Sequence, residues 1–292
     1  MSLTGKLICL LLLAFMSSGA LARELLVVVP ATSSPLISEF TDALRLAQPD
    51  DLIRVSNAPP PDANSADTII VLGSEMLQWR LQSALNTPTI ALYLNHQALP
   101  DEPLPDYLHT LLANPKPIRQ LRLAQRLLPR LRTAGLLYPE GQSGLAREWA
   151  VAIADSGLQQ QSQVVGPTDN LTRPLLKVLD QSDVLIGNDA PAIYNADNLK
   201  TILLTSYSRN KVLIGPSAPF IEAGSLSTTY STAQDMARSV ALLLQSDNLQ
   251  SGLSYPAYFS VLSNAQVARS LGLPVPDDAK LGRELAELEQ TP

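Results

Sequence analysis

Residues 68–94 read TIIVLGSEMLQWRLQSALNTPTIALYL. Thr68 to Leu72 is an apolar, β-favouring run stopped by Gly73, and Thr89 to Leu94 is a second such run. Between them Glu75 to Leu85 has helical character, with Ser74 placed to cap it by accepting a backbone N–H. Short apolar runs without alternation are the pattern of strands buried on both faces. With a helix between them they form a βαβ unit of a parallel sheet.

The same alternation extends in both directions. Upstream, Leu25 to Val29 is a strand ending at Pro30, Leu36 to Ala47 carries apolar residues at helical spacing, and Leu52 to Val55 is a short strand. Downstream, Leu99 to Pro117 is a break, with prolines at 100, 103, 105, 115 and 117 and little periodicity. The pattern then restarts. Helices are expected at Ile118 to Leu128, Leu145 to Ser156, Leu171 to Asp180, most of Pro191 to Ser206, Ala233 to Leu244 and Asn264 to Leu271. Strands are expected at Thr133 to Tyr138, Gln159 to Val165, Val184 to Gly187, Lys211 to Gly215 and Ser225 to Tyr230, and a proline-rich tail closes the chain.

Two such units in one chain predict an α/β protein of two Rossmann-like lobes, each with a parallel sheet, and a cleft between them. The expected division is lobe one over 23–116, joined by part of 225–250, and lobe two over 117–224, joined by part of 251–292.

Residues 1–22 read as a secretory signal peptide. Lys6 supplies the positive end, Leu7 to Met16 is unbroken apolar, and Ala20-Leu21-Ala22 is a small-residue cleavage pattern. The apolar run is shorter than the roughly 20 residues a bilayer span needs. Cys9 is the single cysteine and lies inside that run, so cleavage after Ala22 removes it. The mature chain then has no disulfide, thiolate metal site or cysteine nucleophile. Cleavage also removes Lys6, the only charge in the segment, which moves the formal net charge from −6 to −7 (−6 minus +1). A mildly acidic chain without basic clusters is not a nucleic-acid binder.

In open parallel sheets ligands bind beyond the carboxyl ends of the strands. The loops there supply the candidate ligand-binding residues. Thr32, Ser33 and Ser34 can hydrogen-bond a carboxylate or carbonyl, or else cap the helix that Pro35 opens. Gly73 and Ser74 carry the same two readings. Glu140 can pair with a ligand amine, beside Gln142 and Ser143, or be a solvated loop carboxylate. Asn188 and Asp189 follow Gly187 at a strand end, where Asp189 can take an ammonium group or cap the helix after Pro191. Ser217 offers a hydroxyl and Phe220 a stacking face, or plain core.

Arg119, Arg122 and Arg126 form one helical stripe, read as a solvated face or as a docking surface for a permease or an anionic membrane. Asp277 and Asp278 are expected to be exposed in the tail. The two histidines, His96 and His109, lie near the proline-rich break. No sequence-local metal spacing, nucleophile elbow, dinucleotide fingerprint or P-loop occurs. No catalytic residue, metal or cofactor is therefore expected.

Three segments resemble the solute-binding proteins of ABC transporters, in the family with tryptophan- and tyrosine-binding members. They are Pro117 to Leu123 continuing to Leu128-Pro129 and Ala134 to Pro139, Ser182 to Asp189, and Tyr258 to Ala265 with Leu271 to Pro276. The resemblance implies a type I periplasmic-binding fold with a hinge of lobe crossings. It also implies capture of a small polar, amino-acid-like or aromatic ligand in the periplasm of a Gram-negative cell. The expected partner is an ABC permease in the inner membrane, the protein itself not spanning the membrane. The first loop, Pro30 to Ser34, carries less glycine than the family's, and Tyr138 to Ser143 departs from its Asn-Pro-Ser-like loop. These departures support an alternative, a periplasmic interaction or sensory module of the same fold that has lost transport.

Overall fold

The computed structural model describes residues 22–32, 34–100, 102–245 and 249–290. The signal-peptide reading covers residues 1–22, of which 1–21 lie outside the described residues, as does Ser33.

Two six-stranded sheets form the frame. The first has the order β11-β5-β4-β3-β1-β2, all parallel. Its strands are β1 (Glu24–Val28), β2 (Leu52–Ser56), β3 (Thr68–Leu72), β4 (Thr89–Leu94), β5 (Leu108–Leu112) and β11 (Gly252–Ser254). Three helices cover it: α1 (Pro35–Ala47), α2 (Gly73–Gln82) and α8 (Ala233–Leu244).

The second sheet has the order β12-β10-β9-β8-β6-β7, with β12 antiparallel to β10 and the rest parallel. It is built from β6 (Thr133–Pro139), β7 (Gln159–Val165), β8 (Val184–Ile186), β9 (Val212–Ile214), β10 (Ser227–Tyr230) and β12 (Ser260–Ser263). Around it lie α3 (Pro117–Leu127), α4 (Ser143–Ser156), α5 (Thr172–Gln181), α6 (Ala196–Ser208), α7 (Pro219–Ala223), α9 (Ala265–Ser270) and α10 (Asp278–Gln290).

The apolar runs explain the layering. In lobe one Leu25, Val27, Ile70, Leu72, Ile90 and Leu92 face Phe40 and Leu44 of α1 and Met236 and Val240 of α8. The alternate residues Leu26, Val28, Ile69, Val71 and Ala91 face Met76 and Leu77 of α2. A strand's side chains alternate between faces, so a run apolar throughout feeds two cores at once. The edge strands β2 and β7 keep exposed positions, which is where the polar run Gln159 to Gln163 belongs.

The chain crosses between the sheets three times, after β5, between β10 and α8, and between β11 and β12. Polar side chains tie these crossings together. Gln120 is fully buried at the start of α3, donating to Gly215 O and Thr228 Oγ1 and accepting from the Thr229 N–H and hydroxyl. Thr232 and Asp235 form a capping box at the head of α8, and Ser260, where the third crossing enters β12, donates to the same Asp235 Oδ2 at 3.1 Å.

The structure departs from the expected elements in several places: β11, β12 and α7 form where no element is expected, and the antiparallel β12 makes the second sheet mixed. The proline-rich break contains β5, an interior strand between β4 and β11, because its prolines lie outside the ladder and leave Leu108 to Leu112 free to pair. Ser74 caps nothing: α2 begins two residues earlier than expected, at Gly73 with φ +82°, and Ser74 is exposed within its first turn. The tail is a helix, α10, packed on α3 and β12.

That helix also changes the arginine stripe. Its Arg119 end is an internal seam, Arg122 is half-buried beside it, and Arg126 stays exposed at the rim. Arg119 is buried, donates to Glu289 and to Pro256 O, and stacks 3.7 Å over Phe259. Arg122 donates to Leu288 O, and Arg126 pairs with Glu284. Asp278 is half-buried rather than exposed, with Oδ2 accepting from the Ser263 N–H. Among the described residues no helix is long and apolar enough to cross a membrane.

Candidate functional site: the cleft between the lobes

The carboxyl ends of the central strands of both sheets open toward a shared cleft. His96 and Asp189 meet across it, and two chambers are lined by residues next to them in the chain. The outer chamber, about 650 Å³, is lined mainly by lobe-two loops, including Glu140, Gln142, Asp169 and Asn198, with Gln97 from lobe one. The inner chamber, about 250 Å³, is lined from both sides: Tyr93, Asn95 and Asn114 from lobe one and its exit, and Asn188, Asp189, Ser217 and Phe220 from lobe two.

Each inner-chamber residue is held by local structure. Gly187 ends β8 against Pro216, where an added Cβ would lie 2.7 Å from the proline nitrogen, so only glycine lets the two loops meet. The next residue, Asn188, is buried and donates to Leu137 O, while its Oδ1 is buried without a partner. Phe220 meets the Tyr194 ring edge-on at 6.4 Å. In lobe one Tyr93 sits at a bulge of β4 with φ +56°, a left-handed conformation that an aromatic residue adopts only under restraint. The Phe40 ring packs edge-on against it at 5.8 Å.

Asp189 caps no helix; Asn195 caps α6 instead. The buried Asp189 carboxylate accepts from the His96 backbone N–H at 2.8 Å and lies 3.0 Å from His96 Nδ1. On the other side of the ring, His96 Nε2 is 3.0 Å from Glu148 Oε2 on α4, a charge pair rather than an aligned hydrogen bond. Tyr255, in the third crossing, donates to Glu148 Oε1 at 2.6 Å.

Burial opposes a charge on His96. The hydrogen bond to Asp189, the contact with Glu148 and the charge of both carboxylates outweigh it and raise the imidazole to about 9. Near neutrality His96 is an imidazolium clamped between two carboxylates of the opposite lobe. So little room remains around it that the gap beside it measures about 10 Å³.

The other candidate residues lie apart from this centre. Ser34 caps α1, accepting from the Ile37 N–H, with Pro35 at the first helical position. Thr32 is exposed, and neither it nor Ser34, Gly73 or Ser74 lines either chamber. Ser143 opens α4 and is exposed. Tyr93, Asn95, His96, Glu148 and Tyr255 are site residues that sequence reasoning did not select.

Solved structures share the two-lobed fold. The ligand-free, open structure of CD0873, a substrate binding protein with adhesive properties from Clostridium difficile, matches with a TM-score of 0.63 at 11% identity, over 88% of this chain and 97% of that one. The fold is that of the type I periplasmic binding proteins. An ABC domain in complex with L-Trp from Streptococcus pneumoniae shares the type I arrangement with a TM-score of 0.53 at 15% identity, over 88% and 96% of the two chains. A conserved domain protein from Vibrio cholerae does so with a TM-score of 0.52 at 12% identity, over the same shares. At such identities the likeness is one of fold, and fold alone does not assign function. No protein-family model and no curated protein matches the sequence.

Proposed function

We propose that this chain is the solute-binding component of an ABC importer, exported to the periplasm of a Gram-negative cell by a signal peptide cleaved after Ala22. It captures a small polar ligand, amino-acid-like or aromatic, in the interlobe cleft and presents it to a permease in the inner membrane. Catalysis is not part of this reading.

The inner chamber carries it. Two lobes converge on one space with amides, a carboxylate, a hydroxyl and an aromatic face, and one lining residue, Asn188, has its Oδ1 buried without a donor. A buried acceptor left undonated is unfavourable, so a ligand N–H at that point contributes binding energy. A ligand touching both lobes favours the closed state over the open one. The L-Trp held by the pneumococcal ABC domain supports an aromatic amino-acid-like solute in a chamber walled by Tyr93 and Phe220.

The test is a thermal-shift and calorimetric panel of amino acids and small aromatics on residues 23–292, repeated with Phe220→Ala and Asn188→Ala. Binding by one solute that either substitution weakens supports the reading. Binding that both substitutions leave unchanged contradicts it.

One observation favours a second reading. The centre of the cleft is bridged by the protein's own His96, which closes the lobes without a solute. A sensory or interaction module needs a defined shape more than an open pocket. Recovery of a stable protein partner together with silence in the solute panel supports this alternative.

A further inference from the structure

His96 belongs to lobe one, yet every charged or phenolic group around its ring comes from lobe two or from the third crossing. Asp189 Oδ2 and Glu148 Oε2 stand 3.0 Å from its two ring nitrogens. Tyr255 fixes the far oxygen of Glu148, and its ring centroid lies 6.5 Å from that of the imidazole. Beyond it, Arg119 is occupied by Glu289 and supplies no second cation. Lobe two and the third crossing therefore present a seat of two carboxylates with an aromatic wall, and a side chain of the facing lobe fills it.

The seat is short of donors. Glu148 Oε2 and Asn188 Oδ1 are both buried without a hydrogen-bond partner. An imidazolium has two N–H groups: one serves Asp189, and the other meets Glu148 off its line. A cation with more N–H groups satisfies both carboxylates through charge-assisted bonds. The chambers on either side leave room for the rest of such a molecule.

We propose that His96 is a built-in occupant of a cation seat formed by Asp189, Glu148 and Tyr255, and that organic cations of the amidinium, imidazolium and alkylammonium class compete with it for that seat. The proposal deepens, and rests on, the reading of the cleft as a ligand site. Displacement of one monovalent cation by another leaves the charge of the seat unchanged. Entry of an anion or an uncharged solute strands two carboxylates beside it, which is unfavourable in a buried site.

The test is chemical rescue. His96→Gly empties the seat without touching either lobe's core. The probes are imidazole and methylguanidinium at about pH 6, where both are largely protonated, added to the His96→Gly protein. Its thermal midpoint is expected below that of the wild type and to rise with imidazole or methylguanidinium, whereas acetate at equal ionic strength does nothing. Glu148→Gln added to His96→Gly is expected to weaken the rescue about tenfold, since it removes one of two charges on the cation.

A midpoint that imidazole raises no further than in the wild type overturns the proposal, as does rescue indifferent to Glu148→Gln. Should His96→Gly fold poorly, His96→Gln is read instead. Its uncharged occupant is expected to let methylguanidinium bind more tightly than to the wild type, and equal or weaker binding overturns the proposal. Absent rescue with a neutral or anionic solute released from wild-type protein removes the cation seat and keeps solute capture. Rescue without any recovered solute keeps the seat and turns the chain toward the interaction-module reading.

Discussion

His96 Nδ1 lies 3.0 Å from Asp189 Oδ2, and the two residues stand on opposite lobes. The contact links the two lobes across the cleft. Removing the ring by His96→Ala is expected to open the cleft. The proton affinity of His96 sets the scale: a tenfold change is about 1.4 kcal/mol. After allowance for solvent screening, the bias toward closure is on the order of 1–3 kcal/mol. Small-angle scattering is expected to show a larger radius of gyration for His96→Ala than for the wild type at neutral pH.

The same contact sets a pH dependence. A histidine raised from its ordinary 6.5 to about 9 contributes stability that is fully present below about 6.5 and is lost as pH rises through about 9. Closure is therefore expected to weaken between these values, and an NMR titration of the His96 ring proton is expected to place its midpoint near the upper end. A midpoint near 6.5 would show an unpaired ring.

Gly187 holds the loop that presents Asn188 and Asp189. A Cβ there meets Pro216 backbone and ring atoms at 2.7 and 2.5 Å, and neither can rotate away. Gly187→Ala is expected to destabilise by about 1–3 kcal/mol in urea unfolding, the usual scale of overpacking. The shift of Asp189 is expected to lower the pKa of His96 in the same variant.

Gln120 ties two of the three crossings through four hydrogen bonds that use both ends of its amide. Gln120→Leu fits the volume but leaves the Thr229 N–H without its acceptor and Gly215 O without one of its donors. A loss of about 2–4 kcal/mol in equilibrium unfolding is expected, since each buried group so stranded costs about 1–3 kcal/mol.

The seam under α10 is expected to be equally sensitive. Ending the chain at Asp277 removes Glu289 from the buried Arg119 and uncovers Leu123, which packs against Leu285. Loss of one partner of a buried ion pair costs about 3–5 kcal/mol. The truncated chain is expected to melt well below the full one. Arg119→Met in the truncated chain is expected to recover part of the loss.

These sites differ in how far the sequence discloses them. The frame is legible because strands buried on both faces must be apolar throughout. Leu25 to Val29, Thr68 to Leu72 and Thr89 to Leu94 therefore announce parallel strands before any contact is known. β5 escaped because the prolines around it read as a loop, although none falls within Leu108 to Leu112. α10 escaped because a largely polar helix after Pro274 and Pro276 has little apolar signal; its buried side is chiefly Leu285 and the charges that meet Arg119 and Arg126.

Asn188 and Asp189 were legible as a polar pair at a strand end. Their partner was not, because His96 lies 93 residues away in the chain and Glu148 and Tyr255 are 107 apart from each other. Only the closing of the two lobes brings such residues together. A local spacing rule cannot detect a site made from both sides of a cleft.

The most direct measurement is native mass spectrometry of gently purified residues 23–292, before and after denaturation. Solute capture predicts a mass excess that is lost on unfolding and released as a small molecule. It also predicts that the excess is diminished in Asn188→Ala. An apo mass in the wild type, together with a silent solute panel, would contradict capture and leave a fold that holds itself closed for a partner.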